Sequence, residues 1–196
     1  MKGTLSLKTG PTIYGITVAE MKSHARVDIA DDDAYLTTLI AAGTNYIEAL
    51  TGIRFVSQVW YYYLDKFPGC DCIELPIGPV SAVAVKYLVE DAEAQSTFAA
   101  SSYTTDLASL PARIVLKDGK SWPSDTLEVV NGVIIEITAG YSITGTASNA
   151  PADLKAALKL LVSHWYEHRM AAGEAELKET PLSVNSLLAN YRMWSR

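Results

Sequence analysis

The chain has 196 residues, of which 49% are hydrophobic and 19% charged, enough apolar side chains for the core of one medium-sized domain. With 16 basic and 22 acidic residues the net charge is −6, which argues against a dedicated nucleic-acid binder because phosphate affinity comes from clustered lysines and arginines. No apolar run reaches the roughly 18 residues of a membrane span, and residues 1–15 lack the apolar core of a signal peptide. We therefore expect a soluble protein made in a cytoplasm.

The N-terminal region begins with a glycine-rich stretch over residues 1–15. This composition predicts an extended arm without a core of its own, which becomes ordered against a neighbour. The next stretch, Thr17 to Glu20, has the form of a capping box. It predicts that a first helix begins here and ends near Arg26.

A second helix is predicted from about Asp32 to Leu50, where apolar side chains recur at helical spacing. Gly52 is its expected left-handed cap. The acidic triplet Asp31–Asp33 raises the alternative of a metal site, but its spacing and the missing glycine do not fit a calcium loop. Acidic residues at a helix start also complement the helix dipole, which is the interpretation we favour.

From Arg54 the hydrophobic period changes from that of a helix to that of strands. Residues 55–140 predict five to seven antiparallel strands in a small sandwich or barrel. One of these strands is expected around Arg113–Leu116. Asn131-Gly132 is a hairpin signal between two strand-like stretches, Val129–Val130 and Val133–Thr138.

The stretch Pro151–Met170 predicts a long amphipathic helix that acts as the central packing element, with Gly173 as its stop. A short last helix follows a charged connector and includes Val184 and Tyr191 at helical spacing. Because neither helical pair alone buries much surface, the two pairs are expected to form one bundle.

These elements predict an α+β fold in which a four-helix bundle from the N- and C-terminal segments carries an inserted antiparallel β domain. The expected boundaries are an extended arm at 1–15, a discontinuous helical bundle at 16–54 plus 150–192, a β domain at 55–140 and a tail at 193–196.

Few residues suggest chemistry. His164 and His168 lie four positions apart, a spacing that can bind zinc, but the glutamate is placed differently from the protease motif and a third ligand is undefined. Polar contacts at a helix end or a subunit seam are the favoured interpretation. Cys70 and Cys72 are expected to be reduced thiols at a loop edge. We find no phosphate-binding loop and no nucleophile elbow, so the sequence predicts no enzyme, no metal and no cofactor.

Taken together, the segments resemble one known family, the head–tail connectors, or neck adaptors, of long-tailed double-stranded DNA phages and related prophages. The likeness runs from about Ile16 to Arg192. It is carried by ITVAEMKSHARVD, DDDAYLTTLIAAGTNYIEALTGIRF, FPGCDCIELPIGPVSAV, ITAGY, PADLKAALKLLVSHWYEHR and LLANYR, in that order. The glycine-rich leader and the MWSR tail depart from the pattern.

The resemblance implies a structural virion protein at the head–tail interface, assembled in the host cytoplasm. It implies a ring of about twelve copies, closed by rotation, that docks on the portal protein, extends the DNA channel and meets the next neck or tail protein, a stopper or tail terminator. DNA would pass through the lumen without sequence-specific binding, and no membrane is involved. The C-terminal region would reach the portal, through Leu187, Leu188, Tyr191, Arg192, Met193, Trp194 and Arg196.

Aromatic and imidazole side chains are the expected contacts between subunits, because tyrosine and tryptophan concentrate at protein interfaces. The candidates are Tyr61, Tyr63, His164, Tyr166 and His168, although strand alternation alone also explains part of the tyrosine run.

The rival functions are another neck component, such as a stopper or tail-completion protein, and a binding module that uses the β domain.

Overall fold

The computed structural model describes residues 3–168 and 182–193. The chain divides into two compact units. Within the described residues, the helical unit comprises 12–56, 141–168 and 182–192, and the β unit comprises 3–11, 57–140 and 193. The class is α+β, as predicted. None of the described helices is long and apolar enough to cross a membrane.

The helical unit contains four α-helices among its described residues, with a short hairpin before the third. The elements are α1 (Val18–Ala25), α2 (Asp33–Thr51), β9 (Ile143–Thr144), β10 (Ala147–Ser148), α3 (Ala152–Glu167) and α4 (Leu182–Leu188), followed by a 3-10 turn at Ala189–Tyr191. The predicted four-helix bundle remains a prediction.

Local capping explains where the first helix begins and where the second helix ends. Thr17 and Glu20 form the predicted capping box: the Thr17 side chain accepts from the Glu20 N–H, and the Glu20 carboxylate accepts from the Thr17 N–H at 2.8 Å. Gly52 ends α2 in the left-handed region, also as predicted. These contacts satisfy backbone groups that a helix leaves unpaired at its ends.

The third helix packs against the second through a close approach at Gly43. A Cβ atom at this position would lie 2.8 Å from Leu158 Cδ1 and 3.2 Å from Val162 Cγ2. Leu158 and Val162 are fully buried, as are Leu154 and Leu161 one turn away on the same helix face. The apolar stripe predicted for this helix is therefore its core face.

The third helix ends earlier than its sequence pattern predicts. It stops at Glu167, and His168 leaves helical geometry while its N–H still donates to the His164 carbonyl at 3.1 Å. The imidazole Nδ1 of His168 lies 2.8 Å from the same carbonyl oxygen. A continuous helix through His168 is therefore wrong, and Met170 and the expected stop at Gly173 lie outside the described residues.

The β unit contains eight strands among its described residues. They are β1 (Thr4–Thr9), β2 (Gln58–Leu64), β3 (Cys72–Glu74), β4 (Val80–Tyr87), β5 (Ser96–Thr97), β6 (Tyr103–Asp106), β7 (Arg113–Leu116) and β8 (Val133–Ala139). One antiparallel sheet has the order β1-β2-β8-β4-β5 and a second has the order β3-β7-β6. Whether the two sheets close as a sandwich or a barrel stays at the level of the prediction.

Strand alternation sends every second side chain of the five-stranded sheet into a shared core. Tyr62, Ile135 and Val85 are cross-strand partners on this inner face. They belong to one buried cluster with Ile114 and Leu116 of the other sheet. The side chains of the residues in between point to the opposite face of the five-stranded sheet.

The hairpin predicted at Asn131-Gly132 is wrong. Val129 and Val130 form a turn and are 80% and 66% exposed. The neighbours of β8 are β2 and β4. Instead, the residues before the turn continue along the end of β4, where the Glu128 N–H donates to the Leu88 carbonyl at 3.1 Å. A local turn signal was overridden by pairing with a strand distant in sequence.

The N-terminal arm is extended, but it is not without a partner in its own chain. Residues Thr4–Thr9 form the edge strand β1, which pairs antiparallel with β2 from Thr4 opposite Tyr63 to Thr9 opposite Val59. The expectation that this arm needs a neighbouring molecule to become ordered is therefore wrong. Most of its side chains are exposed, which is why its composition resembled a free arm.

Candidate assembly surfaces

The outer face of the five-stranded sheet brings together two of the predicted interface tyrosines. Tyr61 and Tyr63 are two positions apart on β2, so both point away from the core that buries Tyr62. Their ring centroids are 5.8 Å apart. Both are half-buried. They form an aromatic pair on the face of a sheet, an arrangement that offers contact area at a small entropic cost.

A short ion-pair network lies beside this pair. The Glu136 carboxylate is 2.8 Å from the ammonium of Lys8 on one side and 2.8 Å from that of Lys86 on the other. Lys8 Nζ also lies 5.0 Å from the centroid of the Tyr61 ring. The network links β1, β8 and β4 across the sheet and spans β2, which lies between β1 and β8.

The network alters the titration of its members. Hydrogen bonds from Lys8 and Lys86 lower the pKa of Glu136 below its ordinary value, although partial burial opposes them. The hydrogen bond to Glu136 raises the pKa of Lys8. The sequence contained no signal for this network, because its members come from β1, β4 and β8.

The predicted interface residues of α3 divide into two kinds. Tyr166 is half-buried, and its hydroxyl donates a hydrogen bond to the carboxylate of Asp32, the N-cap of α2. His164 and His168 have ring centroids 4.6 Å apart at the end of the helix. Among the described residues, no three His, Cys, Asp or Glu side chains converge as metal ligands. Tyr166 thus has a role within the unit, whereas the imidazole pair lies at a helix end.

The predicted portal contacts lie mostly on α4 and the turn after it. Leu188 is fully buried within the helical unit, and Leu187 is half-buried. Burial raises the pKa of the Tyr191 hydroxyl, and the Asp153 carboxylate raises it further. Arg192 is exposed, with Nη2 3.5 Å from Asn185 Oδ1.

The tail enters the β unit at Met193. Met193 is half-buried, and its sulfur would lie 3.8 Å from a Cβ atom at Gly78. Trp194 and Arg196 are outside the described residues, so their predicted contacts remain predictions.

The helical unit also has an open groove that sequence reasoning missed. Its volume is about 260 Å³. The lining residues are uncharged and are Thr12, Ile13, Tyr14, Ile16, Thr17, Val18, Thr37, Ile40 and Thr146. Because the lining comes from a connector, two helices and the hairpin, no single stretch of sequence marks it.

The β unit has a second, more polar groove of about 590 Å³. Asp65, Asp125 and Glu128 line it together with Lys66 and Phe67. The Asp65 carboxylate accepts a hydrogen bond from the Asn131 N–H at 3.1 Å. At least one of these carboxylates therefore has a structural role at the turn before β8.

Comparison with known proteins decides the family. The model of the phage gp6-like head–tail connector protein family matches residues 15–192. This chain belongs to that family. The match covers the helical unit from residue 15 onwards and residues 57–140 of the β unit. Met193, Trp194 and Arg196 lie beyond it.

Solved structures support the assignment of the connector. A chain from the neck of an empty gene transfer agent particle, solved with sixfold symmetry, is 28% identical, with a TM-score of 0.75. A chain from the virion of the native particle is 26% identical, with a TM-score of 0.78. A chain from the neck of the native particle, solved with twelvefold symmetry, is 27% identical, with a TM-score of 0.75. Each comparison covers 98% of this chain and 97% of the other. No curated protein sequence matches the connector.

Proposed function

We propose that this connector forms a ring that docks on the portal vertex, extends the DNA channel and joins the head to the next neck or tail protein. The observation that carries the proposal is the family match over residues 15–192, together with the likeness of 98% of the chain to proteins of a particle neck. The twelvefold symmetry of one similar neck supports a ring of twelve copies. The role is structural and uses no cofactor.

The proposed ring body is the helical unit, arranged as a four-helix bundle, with the β unit folded as a small sandwich or barrel. A closed ring needs heterologous contacts, in which two different patches of identical subunits meet. Tyr61 and Tyr63 supply an aromatic pair for such a contact. His164, His168 and the ring of Tyr166 supply a second, although the Tyr166 hydroxyl is already occupied by Asp32.

The proposed portal contact is the C-terminal segment. Leu187, Tyr191 and Arg192 lie on or directly after α4 and keep part of their surface accessible. Leu188 contributes indirectly, because its buried side chain holds α4 in the helical unit. Met193, Trp194 and Arg196 extend this segment beyond the residues that the family model matches.

The acidic balance of the chain suits a channel through which DNA slides. Twelve copies of a chain with a net charge of −6 would repel the phosphate backbone, and repulsion limits sticking. We expect the purified ring to leave duplex DNA unretarded in a gel at physiological salt. Salt-sensitive retardation, or a lumen lined mainly by lysine and arginine, would contradict this part of the proposal.

Assembly on the portal is the direct test of the function. Native mass spectrometry and negative-stain microscopy of the connector, alone and mixed with purified portal rings, should detect a connector ring stacked on the portal. Binding only to a neck made of portal and another adaptor would assign the chain to a later neck component, such as a stopper. Failure to assemble with any neck protein would overturn the proposal.

Truncation tests the role of the tail. Deleting residues 194–196 should leave the thermal unfolding transition unchanged but weaken docking to the portal. The deletion begins after Met193 and retains this residue, because its side chain is half-buried in the β unit. A chain in which residues 194–196 are replaced by three serines is the matched control for length. If both variants joined portal particles as well as the full chain, the tail would have no part in docking.

A further inference from the structure

The exposed face of α2 carries no charge along its length. Its exposed side chains are Ala34, Thr37, Thr38, Ala42, Asn45, Tyr46 and Ala49. They span about half of the helix circumference at 100° per residue. The helix has two charged residues: Asp33 at its first position, and Glu48, which is only 6% exposed. A water-facing helix surface ordinarily carries charged side chains.

The other long helix shows the ordinary pattern. Asp153 and Glu167 are exposed on α3, and Lys155 and Lys159 are half-exposed on it. The charge-free face is therefore a property of α2 and not of the helical unit in general. Its alanines and threonines are also small, so an opposing surface can approach the helix backbone closely and little side-chain entropy is lost on contact.

The uncharged surface continues beyond the helix. Thr37 of the exposed face also lines the 260 Å³ groove together with Ile13, Tyr14 and Val18. None of the residues that line this groove is charged. The face and the groove therefore form one continuous neutral patch built from α2, the start of α1 with the segment before it, and the β9–β10 hairpin.

An aromatic pair borders the patch on the other side. Tyr46 is 40% exposed, and its ring meets Trp165 of α3 edge-on, with centroids 6.1 Å apart. This contact holds the tyrosine in place before any partner arrives. Fixed aromatic side chains at the border of a small-residue surface are typical of protein interfaces.

We propose that a second copy of this chain covers the α2 face and its groove in the assembled ring. This inference rests on the proposed ring function. Identical chains with a net charge of −6 repel one another, and the repulsion is least where the surface between them carries no charge. A patch without charged side chains is thus the surface that a neighbouring copy can contact with the least repulsion. Ring closure makes it one of two different patches that meet at each seam.

The test places a charge in the middle of the patch. Thr38→Arg and Asn45→Arg each replace a poor helix former by a better one, so α2 remains at least as stable. Each should raise the concentration at which rings form on the portal by about tenfold or more, because a guanidinium buried without a partner loses its hydration. Native mass spectrometry measures the ring fraction, and circular dichroism verifies the fold.

Two controls separate position from charge. Ser23→Arg adds the same charge at an exposed site of α1 and should assemble normally. Thr38→Val keeps the shape at position 38 without a charge and should also assemble.

The outcomes distinguish the proposed subunit contact at the α2 face from the proposed ring function. Normal rings from both arginine variants would overturn the seam and leave the ring function intact, whereas rings that form but no longer dock would show that the portal covers the patch. A wild-type chain that forms no rings with the portal would overturn the proposed function itself.

Discussion

Glu48 and Arg54 form an ion pair at the C-terminal end of α2, just before the chain leaves the helical unit. The Glu48 carboxylate accepts the Phe55 N–H at 2.8 Å and lies 3.5 Å from Arg54 Nη1. Both residues are buried, with 6% and 7% of their surface exposed. Burial lowers the pKa of the Arg54 guanidinium, and the Glu48 carboxylate opposes that effect.

Removing the carboxylate should destabilise the fold strongly. Glu48→Ala leaves a buried guanidinium without its anion and the Phe55 N–H without its acceptor, a change that costs about 3–5 kcal/mol. Urea unfolding of the variant would measure the loss in free energy. Glu93→Ala, at an exposed site, is the control and should change stability by less than about 0.5 kcal/mol. Equal stabilities of the two variants would show that the buried pair contributes nothing.

The close approach at Gly43 should tolerate no branched side chain. Gly43→Val would push atoms into Leu158 and Val162, and overpacking of this kind costs about 1–3 kcal/mol. Ala42→Val, on the exposed face of the same helix, carries only the cost of lower helix propensity, about 0.5 kcal/mol. Thermal unfolding of both variants tests this contact. We expect a clearly lower transition temperature for Gly43→Val than for Ala42→Val.

The capping box at the start of α1 should contribute a measurable part of the stability. Thr17→Ala removes the side-chain acceptor of the Glu20 N–H, at a cost of about 1 kcal/mol. Ser23→Ala, at an exposed interior site of the same helix, should be neutral or slightly stabilising because alanine is the better helix former. Chemical denaturation of the two variants would reveal the difference, and a neutral Thr17→Ala would contradict it.

The Glu136 network should make stability depend on acid. The pKa of Glu136 in the folded protein is below its ordinary value of 4.5. Its contribution is therefore fully present above the ordinary value and is lost as the pH falls through the folded value. Glu136→Gln should lower the free energy of unfolding at pH 7 by about 1 kcal/mol or less, since the pairs are near the surface.

Measurement at two pH values verifies the sign of this effect. The gap between wild type and Glu136→Gln should narrow progressively below pH 4.5, where the wild-type carboxylate becomes protonated. Glu90→Gln, at an exposed site, should show a smaller gap at both pH values. A gap for Glu136→Gln that grew in acid would be the opposite of the expected linkage.

Sequence patterns among neighbouring residues predicted where the helices lie. The capping box at Thr17, the left-handed cap at Gly52 and the apolar stripe of α3 all involve residues within a few positions of one another, so the chain's own sequence specifies them. The strand at Arg113–Leu116 was equally readable from β-branched composition. The family likeness was also visible in the order of such segments, and the family match confirmed it.

By itself, then, the sequence determined the α+β class, the helix starts and the family. Only the tertiary structure decided that β1 pairs with β2, that Val129–Val130 makes a turn beside β4, and that Lys8, Glu136 and Lys86 meet. It also exposed the neutral face of α2, since periodicity marks which side chains are apolar but not which surface remains uncovered. The physical reason is the same in each case: these features depend on contacts between residues far apart in the chain, whose loop-closure cost and pairing register no local pattern encodes.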